Sequence, residues 1–138
     1  MRTLLLIIGI LSTSLAQAEG LIVIVSAQVP DSSISVKELA DIYLLKKNFW
    51  ADKTPVIPVN REASSDERER YSEAVFNLST QELAEYLDRL RFQGKLPPVV
   101  QYSDQAVLGF VRSVPGAIGY INADQTVPKG IKILMRLP

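Results

Sequence analysis

The chain has 138 residues, 47% of them apolar, with no cysteine, no histidine and a formal net charge of zero. That length and apolar share suit one domain whose packed core needs no covalent staple. The missing residue types exclude disulfides, thiol nucleophiles, Cys/His zinc sites and imidazole proton transfer, and the neutral charge gives no electrostatic case for nucleic acid or an anionic membrane surface.

Residues 1–18 read as a secretory signal: Arg2 gives a positive start, Leu4 to Leu11 an apolar centre, and Ala16-Gln17-Ala18 a small-x-small cleavage site before Glu19. The apolar run is too short for a membrane span, which needs about 20 residues, so no membrane insertion is expected after cleavage. The mature domain is predicted over residues 19–138.

Leu21 to Ser26 is a continuous Leu/Ile/Val run, the pattern of a strand buried on both faces. Ser35 and Glu38 form a capping box for a helix whose apolar face is Leu39, Ile42 and Tyr43 and which ends at Lys46 to Asn48. Trp50 suits an aromatic plug anchoring a loop to the core better than a ligand platform. Val56 to Val59 is a short strand, and Pro55 and Pro58 predict that it lies at a sheet edge or frays early.

Asn60 to Ser65 is a strand-to-helix turn. Ser64 with Glu67 forms a second capping box, leading into a helix through Phe76 with Tyr71, Ala74 and Val75 inward. The sign-alternating run Asp66 to Arg70 reads as a solvated face. Ser79 and Glu82 form a third capping box, for a helix with Leu83, Tyr86, Leu87 and Leu90 as its core stripe and Gly94 as its terminator. Pro97-Pro98 leads to a short extended piece around Val99 to Gln101.

Ser103 then caps a helix with Asp104 in its first turn and Val107, Phe110, Val111 and Val114 on one stripe. Pro115-Gly116 stops it, Ala117 to Ile121 is a buried strand with Gly119 at a close approach, and Ile131 to Met135 is the last strand. Strands alternating with helices predict an α/β layer sandwich.

Chemistry is expected at the turn Asn60-Arg61-Glu62-Ala63-Ser64-Ser65. A helix N-terminus offers free N–H groups and a positive dipole end, and an adjacent Arg can add a bidentate contact to an oxyanion. The alternative is a well-capped helix start beside a solvated Arg. Asp66 and Glu67 weigh against a dianion, because a like-charge pair about 4 Å apart costs on the order of 4 kcal/mol at an effective dielectric near 20. No nucleophile–base arrangement is visible, so the chain is not expected to be an enzyme, and no cofactor or metal is implied.

Several stretches in chain order carry a resemblance: Val36 to Leu44, Trp50 with Asp52, Pro55, Val56, Pro58 and Val59, then Arg61, Phe92-Gln93-Gly94-Lys95 with Pro97-Pro98, and P-G-A-I-G-Y-I from Pro115 to Ile121. Together they resemble the substrate-binding proteins of phosphate ABC importers, most closely a small single-lobe branch. The resemblance implies a type II periplasmic binding protein-like fold, one lobe with a central mixed sheet flanked by helices, in the bacterial periplasm. It implies Arg61, Ser64 and Ser65 as anion-binding residues, with Arg61 matching the family's Arg and Ser65 its central Ser; Asp66 and Glu67 stand where the family has Gly and Thr. Two functions follow as expectations: solute binding with phosphate or another oxyanion as ligand, or a ligand-free lobe serving as an interaction module for an envelope protein or a second copy of itself.

Overall fold

The computed structural model describes residues 20–138; the signal expected over residues 1–18 lies outside them. The elements run β1 (Leu21–Ser26), α1 (Val36–Tyr43), β2 (Ile57–Arg61), α2 (Asp66–Phe76), α3 (Thr80–Phe92), β3 (Val99–Gln101), α4 (Asp104–Ser113), β4 (Ala117–Asn122) and β5 (Ile131–Leu137). One mixed sheet has the order β3-β2-β4-β1-β5. β2 pairs in parallel with β3 and β4, whereas β1 pairs antiparallel with β4 and β5. Among the described residues no helix is long and apolar enough to cross a membrane.

The unbroken apolar run of β1 is explained by cover on both faces. Val23 and Val25 join Leu39, Ile42, Tyr43, Tyr71 and Tyr120 beneath α1 and α2. Ile22 and Ile24 join Val59, Val107, Val111 and Ile121 beneath α4. β4 divides the same way, with Ile118 and Tyr120 in the first cluster and Ala117 and Ile121 in the second. α3 packs its buried stripe Leu83, Leu87 and Leu90 against Phe76 and the chain leaving α1.

Ser35, Ser79 and Ser103 cap their helices as expected, each side chain accepting from the N–H three residues on. Trp50 is the anchor that the sequence suggested: it is buried, and its indole N–H donates to the Gly116 carbonyl at 2.9 Å.

Three expectations are corrected. β2 is internal, not an edge, although its ladder with β4 ends early, at Pro58. Ile57 N–H donates to Gly116 O on the β4 side, so the alternation of the strand turns Pro58 away from β4, where β3 has not yet begun. The cap of α2 is Ser65, not Ser64. The run Asp66 to Arg70 is not wholly solvated, because Arg68 is buried and donates from Nη1 to the Arg61 carbonyl at 3.0 Å.

Past Pro58 the β2–β4 ladder stops. The hydroxyl of Tyr43, delivered by α1, lies 2.8 Å from the carbonyl of Val59 and 3.2 Å from that of Ile118. It supplies the donor that the parted strands withhold.

Candidate functional site

The parallel arrangement of β2 and β3 puts the starts of α2 and α4 at one edge of the sheet, where ligands of open α/β sheets bind. Arg61 ends β2 there. It is only 6% exposed, and its backbone N–H is held by Asn60 Oδ1 at 3.0 Å and the Tyr120 hydroxyl at 3.2 Å. Tyr120 in turn donates to Asn60 Oδ1. Burial pushes the pKa of the Tyr120 hydroxyl well up, so it stays a protonated donor. The Tyr120 ring stacks on Tyr71 at 3.8 Å between centroids, which fixes the floor of the site.

The guanidinium of Arg61 meets three carboxylates. Nη1 donates to Asp104 Oδ1 at 2.7 Å, Nε donates to Glu62 Oε2 at 3.1 Å, and Nη2 lies 3.7 Å from Glu67 Oε2. Asn122 ties two of these acids together: its Nδ2 donates to Glu67 Oε1 and to Asp104 Oδ2, each at 2.9 Å. Arg70 closes the far side by donating to Asn122 Oδ1. Burial opposes charge on Arg61, but the Glu62 hydrogen bond and the charges of Glu62, Glu67 and Asp104 outweigh it and raise its pKa. The hydrogen bond from Arg61 holds Glu62 below the usual glutamate range. Burial pushes Glu67 up, and the Asn122 hydrogen bond with the Arg61 and Arg70 charges brings it net below.

Of the residues expected to bind an anion, the structure places Arg61 at the centre, but buried and paired, which corrects the alternative of a solvated Arg. Ser65 is half-buried, and its hydroxyl is committed twice, donating to Glu62 O at 2.9 Å and accepting from Arg68 N–H at 3.2 Å. Ser64 stands exposed in the turn. Of the two acids expected to compete with an anion, Glu67 does so, whereas Asp66 is exposed. Sequence reasoning placed Glu62 in the turn without a role and missed Asp104 and Asn122 as members. The signal for Asp104 was present: two parallel neighbours, each followed by a helix, bring both helix starts to one edge, so the first-turn acid of α4 had to face the end of β2.

Each nitrogen of the Arg61 guanidinium thus faces a carboxylate oxygen of the same chain. The arrangement can orient two helix starts and one strand end. Three of the five guanidinium N–H groups are bonded to Glu62 and Asp104, and an incoming oxyanion would reach the other two only beside these acids and Glu67.

No protein-family model matches the chain, and no curated protein matches it. Solved structures do. A candidate phosphate ABC transporter substrate-binding protein with bound phosphate from Clostridium perfringens is 20% identical at a TM-score of 0.68, over 84% of this chain and 44% of that one. An ABC-type phosphate transport receptor from Vibrio cholerae is 19% identical at a TM-score of 0.66, over 84% and 45%. PstS from Borrelia burgdorferi is 24% identical at a TM-score of 0.68, over 84% and 46%. The chain spans less than half the length of the structures it matches. Its fold is therefore one lobe of this type II binding-protein architecture, as the sequence predicted.

Proposed function

We propose that this chain is an exported, non-catalytic binding lobe of the periplasm, and that it works by contact with another protein while its own carboxylates fill the oxyanion seat. The observation that carries this reading is the set of three acids on the Arg61 guanidinium. A phosphate dianion arriving at Arg61 would meet Glu62, Glu67 and Asp104 at short range. One like-charge pair about 4 Å apart costs on the order of 4 kcal/mol at an effective dielectric near 20. That is roughly three decades of affinity, and the site would impose it more than once.

A second reading is phosphate or other oxyanion binding through Arg61, Ser64 and Ser65. One observation favours it: the fold is shared with solved structures that include one with bound phosphate. Isothermal titration with phosphate and sulfate at low salt separates the two. The first reading expects no saturation up to millimolar anion in the natural protein. It also expects weak binding to appear when Glu62→Gln, Glu67→Gln and Asp104→Asn are combined, because Arg61 is then uncovered. Saturable micromolar binding by the natural protein, lost in Arg61→Ala, would overturn it in favour of the second.

A further inference from the structure

The charges of the chain cancel in sum but not in place. From Arg89 to Ser103 it carries three basic residues, Arg89, Arg91 and Lys95, and no acid. All three are exposed. Arg89 lies over the Tyr86 ring at 5.8 Å, and Arg91 Nη1 lies 3.8 Å from Asp88 Oδ1, an exposed pair that holds Arg91 only weakly. Among these cations stand the two most exposed large apolar side chains of the described residues, Phe92 at 93% and Leu96 at 85%.

The backbone fixes the turn that presents them. At the end of α3, Gly94 N–H donates to Arg91 O at 2.9 Å and Lys95 N–H to Leu90 O at 3.0 Å, the double closure of a helix end that needs a left-handed residue between them. Gly94 supplies it, with φ +82°. Both feet of the turn are buried: Leu90 packs with Leu83 and Leu87, and Pro98 is buried just before β3. Every residue from Arg91 to Leu96 is exposed. Helix ends of this kind commonly fold an apolar residue after the glycine back onto the helix, but here that residue is Lys95. Phe92 and Leu96 thus stand free on one projecting turn, flanked by cations.

We propose that this turn docks on an anionic phospholipid surface, with Phe92 and Leu96 entering the headgroup layer and Arg89, Arg91 and Lys95 lying at the lipid phosphates. This goes beyond the reading above, because it concerns the end of α3 and not the Arg61 cluster. Two features commit the turn to a bilayer. Its charge has one sign, so a second copy is repelled there while anionic headgroups are attracted. Its shape is convex, and free-standing apolar side chains need a partner that yields around them. A bilayer interface admits such groups to a depth of about 5–10 Å without a shaped pocket, and Lys and Arg beside them reach back to the headgroups. Only side chains enter, in keeping with the absence of a membrane-spanning helix among the described residues. The turn precedes β3, whose other end, Gln101, pairs with Arg61. A lobe resting on the membrane by this turn holds the Arg61 cluster away from it, where a protein partner can reach.

The predicted mature chain, residues 19–138, holds every described element and is the protein to test, since the apolar stretch Leu4 to Leu11 would bind lipid by itself. At low salt it should cosediment with vesicles of phosphatidylglycerol and phosphatidylcholine in equal parts about tenfold more tightly than with phosphatidylcholine alone, and high salt should remove the difference. Phe92→Ser and Leu96→Ser should each weaken this binding about tenfold. Lys95→Gln should weaken it about fivefold, whereas Arg112→Gln, on the exposed face of α4, should leave it unchanged. The Phe92→Trp variant adds an exposed indole to the buried Trp50, and its emission should shift to the blue on the mixed vesicles. Circular dichroism should remain that of the natural fold, since all of these side chains are exposed. No binding to the mixed vesicles would overturn the proposal. So would full binding by Phe92→Ser, an equal loss from Arg112→Gln and Lys95→Gln, or an unshifted emission from Phe92→Trp. A lipid-free dimer that Phe92→Ser dissociates would assign the turn to a second copy and overturn it as well.

Discussion

Asp104 and Arg61 are 43 positions apart in the chain and 2.7 Å apart in the fold. The contact joins the first turn of α4 to the last residue of β2. It gives Asp104 two tasks, because an acid at a helix start also favours the helix dipole. Replacing Arg61 by Met should therefore cost about 3 kcal/mol, at the low end for removing one member of a buried ion pair, since Glu62 and Glu67 keep some contact with solvent. Adding Asp104→Asn to Arg61→Met should recover part of that loss by relieving the repulsion among the stranded acids. Urea unfolding of the two single variants and the double variant measures both numbers.

The same cluster sets an acid limit. Glu62 and Glu67 both have folded-state pKa values below the ordinary 4.5. A depressed carboxylate contributes its stability fully above the unfolded-state value and loses it as pH falls through the folded-state value. Urea midpoints should hold level from neutral pH down to about 4.5 and fall below it. In the Glu62→Gln, Glu67→Gln double variant that fall should be shallower, and an unchanged slope would assign the acid loss to other groups.

α4 rests directly on the backbone of β4. A methyl group at Gly119 would lie 2.6 Å from Val107 Cγ1. Gly119→Ala should cost about 1–3 kcal/mol by overpacking. Pairing it with Val107→Ala should cost less than the two single losses added together, because the offending methyl is then gone. Thermal melts of the four proteins in this cycle report the coupling.

Gly116 is confined in a different way. Its φ is +79°, and a Cβ there would collide with the Pro55 carbonyl, a backbone atom that cannot step aside. Gly116→Ala should prevent folding to the natural state. Trp50→Phe should cost only about 1–2 kcal/mol, because the Gly116 carbonyl it releases still accepts from Ile57 N–H. Circular dichroism is the readout, since Trp50 is the sole tryptophan.

Gly109 offers the opposite prediction. It sits inside α4 with an ordinary φ, and a Cβ there would meet nothing within 4 Å. Gly109→Ala should stabilise the protein by about 1 kcal/mol through helix propensity alone, seen as a raised urea midpoint with an unchanged slope.

What could be read in advance was local. Ser35, Ser79 and Ser103 announce their helices because a cap depends on a few neighbouring atoms. The run Leu21 to Ser26 announces a strand covered on both sides. The choice between Ser64 and Ser65 failed because it is a tertiary decision. With Ser65 as the cap, Glu67 turns to Arg61 and Asn122 and does not reach back to the chain before it. Pro58 misled because a proline is barred only where its missing N–H is needed, and that depends on where β3 begins. Arg68 was hidden inside a charged run that shows nothing of the Arg61 carbonyl it serves. The Arg61 site was visible as a place but not in its state, since Glu62 comes from the turn, Glu67 from the start of α2 and Asp104 from the start of α4.

The position of β1 governs the order in which this protein can be completed. β1 is the first strand of the described chain, and both of its partners, β4 and β5, are among the last. A chain still missing residues 117–138 has its most apolar strand ready and nothing to pair it with. The centre of the sheet closes only when β1 meets β4 and β5, and the loop entropy of that closure is set by the roughly 90 residues between β1 and β4. Folding should therefore be slow for the size of the domain and all-or-none, with no stable N-terminal fragment. The sheet is completed only after β5 has been delivered.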